Sequence, residues 1–137
     1  MSAIAYINGT YVRKLNRCGH AYEFNMDGKK WIMSNKTDDE SITVMQSIGA
    51  KLVAAKYVIQ RAVVLGAKEL TIINNLNFIE DLTFGYCEPQ QEGTINYVDT
   101  VRPLLNKVKV TIRRPETKEE EKKLKELVFE ARKALNS

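Results

Sequence analysis

From Ile42 onward the chain places apolar side chains at spacings of three and four, through Met45, Ile48, Leu52, Ala55, Ile59, Ala62 and Val63, and stops at Gly66. That is one face of a long helix, closed by a residue suited to a helix C-terminus. Its start falls in the polar segment KTDDES (36–41), where Asp38, Asp39 or Ser41 can cap the first turn. The stripe must be buried against something. Immediately after it, Glu69 to Asn74 (ELTIIN) reads as a buried strand. A helix that feeds straight into such a strand limits the chain to folds in which helices cover a sheet.

The flanking segments fit that restriction. Residues 3–8 (AIAYIN), 19–26 (GHAYEFNM) and 30–35 (KWIMSN) are short and rich in Tyr, Ile and Phe, with the tight-turn string Met26-Asp27-Gly28 before the last of them. They read as three antiparallel strands. Beyond the long helix come helical stretches near 77–82 and 95–105, a strand at Val108 to Arg113 and a terminal helix. That helix opens on a Thr117/Glu120 capping box and carries Leu124, Leu127, Val128, Ala131 and Leu135 as its apolar stripe. Glu119 with Lys123, and Glu121 with Lys125, are spaced to pair on its solvent side. Strand, helix, strand, helix in the second half implies parallel pairing there. The expected class is therefore mixed α/β: five strands, three antiparallel then two parallel, flanked by helices in one domain over residues 1–137. Gly85 to Asn96 is the one long loop. Asn8-Gly9, inside AYINGTY, has two readings: a hairpin turn, or the end of a first strand.

With 137 residues at 44% hydrophobic the chain can bury one core. It has no apolar run of the roughly 18 residues a membrane span needs and no leader-like N-terminus, so a soluble, cytoplasmic protein is expected. Cys18 and Cys87 with the single His20 are too few soft ligands for structural zinc and are expected to be reduced, buried thiols. The net charge of +4 lies entirely in residues 1–115, because six Lys/Arg balance six Glu from Glu116 onward.

Single residues offer little chemistry. No glycine precedes a Gly-Lys-Ser/Thr phosphate loop. His20 could act as a base, although a lone strand histidine is more often structural. Cys87 has no neighbour in sequence to activate it. Arg13, Lys14, Arg17, Lys29, Lys30 and Lys36, interleaved with Tyr11 and Trp31, suit phosphate contact and base stacking. Equally, they suit strand edges guarded by lysine against aggregation.

Four strings, in order, resemble the ribonuclease H family, in particular its compact bacterial type I members. Tyr6-Ile7-Asn8-Gly9-Thr10-Tyr11 is similar to the family's YVDGSY, and Cys18-Gly19-His20-Ala21-Tyr22 to the approach to its second strand. Ser47 to Ala55 (SIGAKLVAA) is similar to NVAGELAA, and Ile72 to Leu82 (IINNLNFIEDL) to IYYDYEGIEKW. The resemblance implies the fold already expected. It also implies a cleft where carboxylates hold two Mg²⁺ and cleave the RNA strand of an RNA–DNA hybrid. At three of those positions this chain has Asn8, Lys51 and Asn75, and the fourth falls near Val128, flanked by Glu126 and Glu130. The loop in which many family members carry a histidine reads Arg113-Arg114-Pro115-Glu116.

Mg²⁺ needs anionic oxygen and gives up its waters reluctantly. An Asn offers one neutral carbonyl, and an ammonium about 4 Å from a divalent ion is repelled by roughly 8 kcal/mol at an effective dielectric near 20. On the helix, Lys51 falls roughly 75° from the centre of the apolar stripe, where it can reach into the site or simply lay its stem on apolar surface. The expectation is a non-catalytic ribonuclease H-like domain without a cofactor that binds RNA, DNA or an RNA–DNA hybrid through Lys51 and the six basic residues with Trp31. The alternative is a protein-interaction or homodimerisation module. A third possibility is an active Mg²⁺-dependent nuclease with ligands recruited from Glu23, Glu80, Asp81 or Glu126.

Overall fold

The computed structural model describes residues 1–136. Strands β1 (Ser2–Val12), β2 (Arg17–Met26) and β3 (Lys29–Thr37) lead into a short helix α1 (Glu40–Thr43) and the long α2 (Gln46–Val64). Then come β4 (Glu69–Ile73), α3 (Asn77–Phe84), α4 (Glu92–Val101) with a 3₁₀ turn at Arg102–Asn106, β5 (Lys109–Arg113) and α5 (Lys118–Leu135). The sheet order is β3-β2-β1-β4-β5. β1, β2 and β3 run antiparallel, and β4 and β5 run parallel to β1. The expected architecture is borne out in strand number, order and direction.

Because β1 is central, both of its faces are covered. Ala3, Ala5 and Ile7 point into the larger core with Leu52, Ala55 and Ile59 of α2. Tyr6 points the other way, with Ala21 and Ile73, onto Leu124, Leu127 and Ala131 of α5. One residue lets α2 lie this close: a Cβ built on Gly9 would stand 2.5 Å from the Ala50 Cβ.

Several boundaries differ from the sequence reading. Asn8-Gly9 neither turns the chain nor ends the strand; β1 runs on to Val12, with Asn8 opposite Ala21 and Gly9 opposite His20. Continued antiparallel pairing with β2 overrides the turn preference of the dipeptide, beyond the point at Tyr6 where the β4 ladder stops. The two-residue hairpin lies instead at Asp27-Gly28, both with positive φ (54° and 74°), as that string predicts. The long helix is broken in two. Gln46 takes φ 57°, and α1 folds back so that the Ile42 carbonyl sits over Gly49, where an added Cβ would stand 2.3 Å from that oxygen. Ile48 consequently leaves the stripe and is 37% exposed. The later helix begins at Glu92 rather than 95 and passes into the 3₁₀ turn at Arg102, which shortens the loop after Gly85.

At the start of α5 the expected capping box is half formed. The Thr117 Oγ1 accepts from the Glu120 amide at 3.1 Å, but the Glu120 carboxylate accepts from the Glu116 amide (2.8 Å) and from Arg113 instead of returning to Thr117. Lys123 does not pair with Glu119 on the solvent side either; it reaches inward to Glu23 at 3.0 Å. No helix among the described residues is long and apolar enough to cross a membrane.

Candidate functional site

Alternation along β1 aims Asn8 at the α5 side of the sheet, where it is 4% exposed. Its Nδ2 donates to the Leu124 carbonyl at 2.7 Å and its Oδ1 accepts from the Gly9 amide at 2.9 Å. Just past β4, the Asn74 side chain accepts from the Leu76 amide at 2.7 Å and folds the backbone into a tight turn that presents Asn75. From the first turns of α2, Lys51 reaches over the sheet and donates its Nζ to the Asn75 Oδ1 at 3.3 Å. Lys51 is half-buried, and that burial lowers its pKa. Among the described residues no carboxylate pairs with it.

Asn8 and Asn75 share a pocket of about 320 Å³ with Arg114, Glu121, Lys125 and Val128. The three positions singled out in the sequence are thus brought together, and Val128 joins them. The pocket lies at the carboxyl ends of the parallel strands β1 and β4, the usual place for a ligand in such a sheet. Counting Lys51, three cations face one carboxylate. Nothing local in the sequence marks two of these cations: Arg114 stands in a loop without periodicity, and Lys125 has the spacing of an ordinary surface pair with Glu121.

Next door, Arg113 is fully engaged: its Nη1 and Nη2 donate to the two Glu120 oxygens at 2.9 and 2.8 Å. That fork holds the Glu120 carboxyl down at about 2. It pins the loop from which Arg114 projects. Arg114 itself donates to the Asn77 Oδ1 at 3.5 Å.

This donor set does not fit Mg²⁺. Two neutral amides and an ammonium supply no anionic oxygen, and Glu121 alone is short of what the ion takes. The carboxylates considered as replacements do not make up the difference, since among the described residues no three His, Cys, Asp or Glu side chains group as metal ligands. Glu23 is buried and committed to Lys123, with Asn25 donating at 2.9 Å. Burial pushes its pKa up, but these hydrogen bonds and the Lys123 and Lys30 charges leave it below the ordinary value.

The basic residues do not form one patch. Arg13, Lys14, Arg17 and Lys36 lie at the end of the sheet near Asn8, whereas Lys29 and Lys30 flank the β2–β3 turn at the other end. The nine steps along β2 from Arg17 to Met26 put roughly 30 Å between the two groups. Trp31 is partly buried, edge-on to Phe24 (5.8 Å) with the Arg61 guanidinium 5.7 Å over its ring. It belongs to the packing of β3 and is poorly placed to stack a base.

Cys18 is buried and Cys87 only partly so, and both are free. The Cys18 thiol donates to the Gln46 carbonyl at 3.3 Å and is pushed by burial up to about 11.

A mixed sheet with this strand order, a close-packed long helix on one face and a terminal helix on the other is the ribonuclease H fold, and solved structures bear this out. The RNase H1 of the halophilic archaeon Halobacterium salinarum superposes with a TM-score of 0.75 at 15% identity, over 99% of this chain and 98% of that one. The N-terminal RNase H domain of a Mycobacterium tuberculosis protein gives 0.72 at 10% identity, over 97% and 94%. LC11-RNase H1, obtained from compost by a metagenomic approach, gives 0.70 at 16% identity over 97% and 99% in its complex with an RNA/DNA hybrid. No family model matches the sequence, and no curated protein does.

Proposed function

We propose that this chain binds nucleic acid, an RNA–DNA hybrid or a structured RNA, through the Asn8–Asn75 pocket and does not cleave it. The observation that carries the reading is the Lys51–Asn75 hydrogen bond. It places an ammonium among neutral amides, in a pocket edged by Arg114 and Lys125, where two-metal hydrolysis requires clustered carboxylates. A pocket with that excess of positive charge attracts a phosphodiester and repels Mg²⁺. Arg13, Lys14 and Arg17 extend the positive potential along the same end of the sheet. The hybrid complex of LC11-RNase H1 shows that the fold can seat such a substrate.

A salt titration of hybrid binding tests this. Affinity should fall steeply with salt, and Lys51→Glu or Lys125→Glu should weaken binding and lower the salt slope by about one for each lost phosphate contact. No binding at low salt, or Mg²⁺-dependent cleavage abolished by chelation, overturns the reading. The complementary experiment combines Asn8→Asp, Lys51→Glu and Asn75→Asp in one chain, which should gain Mg²⁺ binding.

Association with protein is the second reading, favoured by the edge strand β3, where Ile32 and Met33 are 50% and 47% exposed. A homodimer formed by antiparallel β3 pairing about Met33 would set Lys30 opposite Lys36, a like-charge pair that opposes it.

A further inference from the structure

Between α2 and the edge strand β3 lies a second pocket, of about 180 Å³, lined by His20, Tyr22, Met33, Ser34, Asn35 and Tyr57. His20 is its floor. Only 4% of the residue is exposed, and among the described residues the imidazole makes no hydrogen bond; its one ring contact is Tyr57, at 5.6 Å between centroids. Its ring nitrogens are not sealed off, since among the described residues the one buried side-chain nitrogen or oxygen without a partner is Arg102 Nε, so the imidazole offers its polar edge to the pocket. Burial, and then the Lys56 charge, lower its pKa to about 4, so the ring is neutral and offers one donor and one acceptor. Tyr57 from α2 and Met33 from β3, 40% and 47% exposed, supply the pocket's apolar lining. At the rim, the Asn35 Oδ1 is taken by the Lys36 amide at 2.8 Å, which leaves the Asn35 NH₂ to donate.

We propose that this pocket takes a single unpaired nucleobase, held between Tyr57 and Met33 and hydrogen-bonded by His20 and Asn35. The size decides for one ring system, since the volume is below the roughly 300 Å³ at which sites for larger ligands begin. An apolar slot with a donor and an acceptor at its base suits a flat heterocycle, and unstacked bases are read in this way. Tyr57 comes six residues after Lys51 on α2, about 9 Å along the axis and roughly 120° around it, so the slot faces the β3 edge of the sheet while Lys51 faces β4. The inference rests on the nucleic-acid reading and adds to it a site for single-stranded or looped segments.

His20 is the only histidine, so its imidazole gives one unambiguous NMR signal. That signal should shift on adding free nucleosides and on adding an RNA hairpin with an unpaired loop, and should stay put with the blunt duplex of the same stem. Tyr57→Ala, at a half-exposed position, should weaken the hairpin by about tenfold while duplex affinity and thermal midpoint hold. His20→Phe should do likewise if it folds. A hairpin that binds to saturation without moving the His20 signal overturns the slot and leaves the phosphate reading standing. Nucleosides that move it while neither hairpin nor duplex binds overturn the phosphate reading and leave the slot. Silence from all three probes overturns both.

Discussion

Asn8 ties the central strand to the terminal helix through a single buried side chain. Its amide uses both ends: the NH₂ donates to Leu124 on α5 and the carbonyl accepts from Gly9. A carboxylate keeps the second bond and turns the first into a contact between two acceptors 2.7 Å apart. Asn8→Asp should therefore cost about 1–3 kcal/mol at neutral pH, read as a lower midpoint in urea unfolding. This penalty depends on pH. Burial raises the folded pKa of the new carboxyl above its unfolded value, so the penalty is absent below the unfolded pKa, where the group is protonated in both states, and grows as pH rises through that range. Variant and parent should converge near pH 3. If Lys51→Glu and Asn75→Asp accompany the change, Mg²⁺ should recover part of the loss, because the ion binds the folded state alone.

At the scale of elements, the join between β5 and α5 depends on one forked ion pair. Arg113, Glu120 and the Glu116 amide fasten the first turn of α5 to the sheet edge and so fix where Arg114 and Lys125 project. The Glu120 carboxyl is held at about 2, below its ordinary 4.5. The stability it contributes is present above the unfolded pKa and lost as pH falls through the folded one. The stability difference between parent and Glu120→Gln should hold constant from pH 7 to about 5.5 and shrink towards pH 2, measured by chemical denaturation across that range. This join also shows what sequence can tell. Thr117 and Glu120 announced a helix start, and the 3–4 spacing announced α5 and most of α2, because those signals are local. The partner of Glu120, the inward turn of Lys123 and the break at Gln46 depend on neighbours distant in sequence or on a backbone choice with no compositional mark. Asn8-Gly9 misled for the converse reason: a real turn preference was outvoted by the long-range ladder with β2, which carries β1 on to Val12. The site was legible as three substituted positions on the family resemblance, whereas its cationic rim at Arg114 and Lys125 emerged only when β5 and α5 were set side by side.

For the molecule as a whole, the two faces of the sheet are covered unequally. Helices α2, α3 and α4 share one face, and α5 alone covers the second core of Tyr6, Ala21 and Ile73. Cys18 sits under α2 with its thiol pushed up to about 11, whereas Cys87 stands half-open near α3. A chromogenic disulfide reagent should thus titrate one thiol per native chain quickly and the second only on unfolding; equal rates at both would mean that the sheet opens on the time scale of the assay. The Asn8–Leu124 hydrogen bond spans 116 positions of the chain. The Asn8–Asn75 pocket is consequently a late product of synthesis. At roughly 5–20 residues per second, a ribosome that has released everything up to β5 still needs seconds to deliver α5, and until then Leu124, Lys125 and Val128 are missing from its wall. A growing chain emerges beside the message that encodes it with this pocket unbuilt, and acquires it only when the last helix docks.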